Sequence, residues 1–287
     1  MARSKRNGGG PGLASVSAEP RKRPNRAVLY AVEGWGKTSL ACFLPNPIIL
    51  MTRGEDGLRT LAANGRVPPT PHFDDEAETF NECVMAVNEL AAKDHPYQTL
   101  VLDTINGAGR LCVDAVTQTA FGGDAAKFND FGRGWKVVPQ EWKRLLDALT
   151  RANEKGMSIM LLCHADVVRF NNPEGADYDR YTARMPKQLW EPTFEWADMV
   201  LFGQLETFVK TEGKDKDFGK AKGGQNRLLY CERTAVADAK NRHGLPPQIS
   251  CGYGPEKAWD ALIAAVAAGR AQAPAATTTP DTPNPKE

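Results

Sequence analysis

The stretch Ala27-Val28-Leu29-Tyr30-Ala31-Val32-Glu33-Gly34-Trp35-Gly36-Lys37-Thr38-Ser39 decides the fold of this chain. A short apolar run stops at a glycine-bracketed turn, and Gly-Lys-Thr follows. The pattern reads as a phosphate-binding loop: a strand, a turn whose backbone N–H groups converge on an anion, and a helix whose N-terminal dipole faces the same charge. Glu33, Gly34, Trp35, Gly36, Lys37, Thr38 and Ser39 are then the nucleotide cradle, with Lys37 reaching the β- and γ-phosphates and the Thr38 hydroxyl ligating Mg²⁺. The usual motif opens with a glycine where this chain has Ala31. Alanine is the smallest replacement and serves unless that position needs a positive φ.

Downstream, Pro47 to Thr52 is a second apolar run with β-branched members, read as a buried strand, and it ends in Arg53-Gly54-Glu55-Asp56-Gly57. Carboxylates at such a strand end face the carboxyl edge of a parallel sheet, where ligands bind in open α/β folds. Apolar residues at helical spacing predict a helix over Glu76 to Ala92. Tyr97 to Thr104 is an apolar strand closed by Asp103, placed to hold a water on the Mg²⁺, with Thr104 near the γ-phosphate end. Helices are expected over residues 106–121 and 136–155. Ser158 to His164 is a further strand with a polar end, which puts His164 at the same edge.

Asp166 to Lys187 alternates charge and aromatics around Asn171-Asn172-Pro173-Glu174-Gly175, the pattern of a hairpin or mobile loop. Trp196 to Phe202 returns to strand character. A lysine-rich, glycine-bounded loop over 210–224 separates it from a strand over Arg227 to Glu232. A polar turn, 238–246, precedes a last helix over 255–269.

Of 287 residues, 41% are hydrophobic, enough for a proper core. The overall charge of +1 hides an asymmetry: residues 1–26 carry seven Arg or Lys against Glu19 alone, which leaves the remainder at −5. Residues 1–25 are expected to form a disordered basic arm, either a solvated tail or a non-specific phosphate tether. Residues 26–270 form the folded domain in this reading, and 271–287 a second disordered tail rich in Ala, Pro and Thr. The six cysteines form no C-x-x-C pair and read as reduced, packed thiols. No apolar run approaches the roughly 18 residues of a membrane span, and the N-terminus lacks a signal-peptide core, so the expected location is the cytoplasm.

These residues resemble the RecA-like ATPase core, and more narrowly the AAA-type ATP-binding proteins of bacteriophages that act in single-strand annealing or recombination. The resemblance spans about 26–250. It rests on Tyr30 to Leu40, Thr99 to Thr104, Asp130-Phe131-Gly132-Arg133-Gly134, and His164 through Tyr178 to Tyr181 and Pro186-Lys187 to Asp198. It rests also on Glu232-Arg233 and Asp238-Ala239-Lys240-Asn241-Arg242-His243-Gly244-Leu245-Pro246. It implies an α/β fold with a mainly parallel sheet flanked by helices and a β-hairpin extension.

The resemblance also implies roles. Glu55 activates water, with Asp56 its competitor; His164 senses the γ-phosphate; Lys240 and Arg242 reach the γ-phosphate of a neighbouring subunit. Segments 121–136 and 166–187 face single-stranded DNA, through Lys127, Arg133, Arg169, Arg180 and Arg184 and the aromatics Phe128, Trp135, Phe170 and Tyr181. ATP and Mg²⁺ are the implied cofactors. The implied partners are single-stranded DNA, further copies of the chain in a ring or filament, and a single-strand-binding protein that the tails could recruit. A phage source would place the protein in the host cytoplasm. A helicase-loading ATPase, a non-hydrolysing nucleotide switch and a small-molecule kinase stay open as alternatives.

Overall fold

The computed structural model describes residues 23–211 and 219–272, with Leu13 and Val16 besides. Most of the basic arm, the centre of the lysine-rich loop and the tail beyond residue 272 lie outside the described residues. The strands are β1 (Arg26–Ala31), β2 (Pro47–Met51), β3 (Thr99–Asp103), β4 (Ser158–Phe170), β5 (Tyr178–Ala183), β6 (Met199–Thr211), β7 (Gly219–Tyr230) and β8 (Gln248–Ser250). Eight α-helices accompany them among the described residues: α1 (Lys37–Ala41), α2 (Gly57–Ala63), α3 (Phe80–Ala92), α4 (Ile105–Phe121), α5 (Ala125–Asn129), α6 (Arg133–Lys155), α7 (Lys187–Trp196) and α8 (Pro255–Gln272).

One sheet runs β2-β3-β4-β1-β6-β7-β8, and β5 pairs with β4 off that path. Its first five strands are parallel, whereas β7 and β8 are antiparallel additions. This is the mainly parallel, helix-flanked α/β arrangement expected from the sequence. The central strands read as continuous apolar runs because both faces are covered. Val28 and Tyr30 of β1 join a core with α3, α4, α6 and α7, while Ala27, Leu29 and Ala31 face a second core with α1 and α8. All six cysteines are free and buried in these cores.

Several boundaries differ from expectation, each for a local reason. Helix α3 starts at Phe80, not Glu76, because Thr79 and Glu82 form a reciprocal capping box that fixes the first turn. Glu76 instead accepts hydrogen bonds from the Gly54 N–H at 2.8 Å and Arg59 at 2.9 Å. Strand β4 does not end at His164 but continues to Phe170 and pairs with β5, so 166–187 contains a hairpin rather than a mobile loop. Strands β6 and β7 likewise run into the lysine-rich stretch, pairing out to Thr211 and Gly219. Helices α2, α5 and α7 fall where the sequence pattern predicts none. In α7, Pro192 lies inside the helix and masks its periodicity, yet Leu189, Trp190 and Thr193 are buried against the core.

At the amino end of β1, Arg26 donates to both oxygens of Asp198, at 2.9 and 3.0 Å, and Arg242 adds a contact at 3.2 Å. Burial raises the Asp198 pKa, but the hydrogen bonds and charge of Arg26, helped by Arg242, outweigh it and hold the carboxyl below its ordinary value. The native group therefore titrates lower than the unfolded one. Its stabilisation is complete above the unfolded value of about 3.9 and is lost as pH falls through the native one. Asp198→Asn is expected to cost about 1.5–3 kcal/mol at pH 7. Urea melts should show the gap from wild type closing in acid; identical melts at pH 7 would contradict this account.

Candidate nucleotide site

The sheet register assembles the site. Ala31, the last residue of β1, lies level with His164 on β4, and Asp103 ends β3 two residues lower, beside Leu162. Strand β4 therefore stands between the loop strand and the Asp103 strand. Thr38, at the start of α1, bridges that gap: its Oγ1 donates to Asp103 Oδ2 at 2.7 Å.

The loop itself turns on two glycines with positive φ, Gly34 at 74° and Gly36 at 97°. Ala31 belongs to β1, paired on both sides, so the position where the motif usually has glycine is extended backbone here. Space for its methyl comes from the neighbouring strand. A Cβ on Gly203 would stand 2.8 Å from Ala31 Cβ and 2.8 Å from the Trp35 ring. Trp35 is wholly buried, its Nε1 donating to the Leu228 carbonyl at 3.2 Å and its N–H to the Val32 carbonyl at 3.4 Å, so its ring is turned away from the cradle.

A cavity of about 430 Å³ opens over this loop, lined by Gly34, Gly36, Lys37, Thr38, Ser39, Glu55, Asp103 and His164, and also by Arg66, Arg227, Pro255 and Glu256. Lys37 is buried, and its Nζ reaches the Ala31 carbonyl at 3.3 Å and His164 Nδ1 at 3.5 Å. An ammonium only donates, so His164 Nδ1 accepts and its proton sits on Nε2. That nitrogen faces Glu55 Oε1 at 3.8 Å, and the same oxygen accepts from Thr104 Oγ1 at 2.9 Å. Of the two competing carboxylates, Glu55 lines the cavity, whereas Asp56 occupies the cap position of α2 and is exposed.

The electrostatics follow from burial and pairing. Burial raises the Glu55 pKa, but the His164 N–H facing it, the Thr104 hydrogen bond and the charge of Arg110 bring it below its usual value. Lys37 is lowered by burial, with Asp103 opposing. Asp103 is pushed up to about 6, chiefly by burial, and the Thr38 hydrogen bond does not offset it. A buried carboxylate beside a hydroxyl, undercompensated by its neighbours, is a donor set that fits a divalent cation.

Sequence reasoning missed three supports. Thr52, fully buried at the end of β2, accepts from the Thr104 N–H and donates to the Thr104 carbonyl, fixing the turn after Asp103, whose Asp103–Thr104 peptide is cis. Asn106 accepts from the His164 N–H at 3.2 Å and so sets the level of that side chain. Arg227 comes from β7 and reaches the Trp35 carbonyl at 2.6 Å. Thr52 was legible as a polar strand end; the other two depend on tertiary contact.

The remaining expected site residues lie elsewhere. Lys127, Arg133 and Arg169 are exposed, each paired to a neighbouring carboxylate (Asp124, Asp130 and Asp179) at 3.3–3.5 Å. Arg184 lies beside the loop, 3.6 Å from Glu33, and donates to the Ala165 carbonyl. Arg180 is buried, bound to Asp238 at 2.8 Å and stacked over Phe170, so it does not present a free cation. Phe128 is buried too, packed against Phe121 and Trp135. Lys240 bridges to Val200, level with Val28, and Arg242 binds Asp198 beside Arg26. Both lie toward the opposite end of β1 from the loop.

The family model described as an AAA domain matches residues 23–243. No curated protein matches the chain. Among solved structures, the crystal structure of the RadB recombinase is similar at 15% identity, over 81% of this chain and 90% of that one, with a TM-score of 0.45. No helix among the described residues is long and apolar enough to cross a membrane.

Because Ala31 is extended and packed, restoring the usual glycine should gain nothing. Ala31→Gly is expected to leave nucleotide affinity within about twofold and to lower stability by about 0.5–1 kcal/mol. Equilibrium nucleotide titration beside a denaturant melt checks both; tighter binding in the variant would show that the methyl obstructs the loop.

Proposed function

The chain belongs to the AAA domain family, and on that premise we propose that its RecA-like P-loop core hydrolyses ATP to control a grip on single-stranded DNA, in phage-type recombination by strand annealing or exchange. The observation that carries the catalytic half is the continuous contact chain Lys37–His164–Glu55–Thr104 beside Thr38–Asp103. Lys37 and the loop N–H groups would bind and orient the phosphates. Thr38 and Asp103 are the residues that would hold Mg²⁺, which when bound neutralises charge on the phosphoryl oxygens.

Glu55 is ionised at neutral pH and held on one oxygen by Thr104 and His164. Its other oxygen is left for an attacking water. His164, touching both Lys37 and Glu55, would register whether the γ-phosphate is present.

The DNA half rests on exposed cations at two segments, Lys127 and Arg133 on one, Arg169 and Arg184 on the other. Arg180 is left out of this set because its charge is buried on Asp238. Lys240 and Arg242 serve only if a second copy brings them to the loop, so their trans role goes with a ring or filament.

Steady-state ATP hydrolysis with Mg²⁺, with and without single-stranded DNA, tests the reading. Glu55→Gln is expected to keep ATP binding and to lose roughly 10²- to 10⁴-fold in turnover, while Lys37→Ala loses both. Undiminished turnover in Glu55→Gln would remove its assigned role, and turnover indifferent to DNA would remove the coupling.

A further inference from the structure

Three segments distant in sequence meet at the guanidinium of Arg227. Its Nε donates to the Trp35 carbonyl inside the phosphate loop at 2.6 Å, and its Nη1 donates to the Tyr253 carbonyl just ahead of α8. Its backbone is fixed by paired bonds with the same turn: its N–H donates to Gly252 at 2.9 Å and its carbonyl accepts from Cys251 at 2.8 Å. The next residue on β7, Leu228, accepts the Trp35 indole N–H. Strand β7 thus holds Trp35 by ring and by carbonyl at once.

The guanidinium also lines the cavity that contains Lys37 and Thr38. A Cβ built on Gly36 would lie 3.1 Å from Pro255 Cβ and 3.6 Å from Arg227 Nε, so β7 and the start of α8 form the wall behind that glycine. Tyr253, Pro255 and Glu256 fall beyond residue 243, where the family match ends.

We propose that Arg227 is a positioning residue that latches the C-terminal segment 252–256 to the phosphate loop and holds the loop in its anion-binding shape. The inference rests on the ATP reading above. Trp35 lies between Gly34 and Gly36, the two residues with the widest backbone freedom; the loop's own bonds engage the Trp35 N–H (to Val32) and the Gly36 carbonyl (from Leu40), and the peptide between them is held through its carbonyl by Arg227. In a trans peptide the C=O and the following N–H point in opposite directions. When Arg227 draws the Trp35 carbonyl to itself, the Gly36 N–H is turned the other way, as a donor aimed by a rigid strand. The second donor reaches Tyr253, so α8 is docked in the same act. A lysine could reach one of these carbonyls, but its single ammonium lacks the planar fork that takes both.

The test compares full-length wild type, Arg227→Ala and Arg227→Lys by ATP and ADP titration, steady-state turnover and melting of the unliganded protein. The loop lies under the phosphates common to both nucleotides. Arg227→Ala is therefore expected to raise Kd for ATP and ADP alike, roughly 10- to 100-fold, the loss expected for a charged hydrogen bond. KM should rise with it while kcat at saturation stays within about threefold, the signature of lost uniform binding.

Arg227→Lys should recover only part of the affinity. Unchanged Kd in an Arg227→Ala protein that melts like wild type overturns the proposal, as does a fall in kcat at unchanged KM. Should the alanine variant not fold, the lysine variant decides: weakened ADP binding supports the latch, and wild-type binding overturns it. A wild-type protein that binds neither nucleotide sinks the ATP reading itself and the latch with it.

Discussion

The 2.7 Å hydrogen bond from Thr38 to Asp103 is the contact on which the rest of the site depends. It joins the first turn after the loop strand to the end of a strand that is not its neighbour, because β4 lies between them. Such a bond forms only if β1, β3 and β4 keep their register, and the register is held by apolar side chains on both faces of each strand. A slip of one residue would turn Asp103 into the core and Leu102 toward the loop. The chemistry at the carboxyl edge is therefore a consequence of packing at the sheet's centre.

Bringing Lys37, Asp103, Glu55 and His164 together has an energetic cost that packing alone does not remove. Burial lowers Lys37 and pushes Asp103 to about 6, so each charged group is destabilised where it stands. The two effects are mutually dependent, since each group supplies part of the charge that keeps the other ionised. Binding of a polyanion with its cation would relieve both at once. The strain resides at the site, and the apolar cores that frame it carry the stability.

Much of this was legible in the residues themselves. The ends of the apolar runs, at Met51 ahead of Glu55, at Asp103 and at Cys163 ahead of His164, marked the carboxyl edge, because buried parallel strands read as apolar runs; at His164 only the parallel pairing ends there, while β4 itself runs on to Phe170. What was illegible required knowledge of partners. Glu76 fits a helical pattern, but Thr79 and Glu82 cap one another more strongly. Arg180 reads as one more exposed cation of a charged stretch, yet Asp238, 58 residues away, takes it out of solvent. Arg227 reads as the start of an ordinary strand, yet it lies well inside β7, and only the folded sheet places it against Trp35.

The two longest strands connect the site to the surface. β4 and β6 each run 13 residues, well past their parallel partners. In β4 the inner half is buried and the outer half exposed, so one continuous backbone carries His164 at the site and Arg169 at the hairpin. A hairpin built this way would swing freely if nothing else held it. Here Arg180 of β5 binds Asp238, whose carbonyl accepts the Tyr30 hydroxyl from β1, and Tyr181 stacks on Phe202 of β6, which in turn stacks on Tyr30. The hairpin is thereby tied back to the residue just before the loop. Its two anchors, His164 on β4 and Tyr30 on β1, both stand within one residue's register of Ala31, where the loop begins. The tie is rigid: an ion pair, a hydroxyl-to-carbonyl hydrogen bond and two stacked ring pairs join the hairpin to the strand that carries the loop.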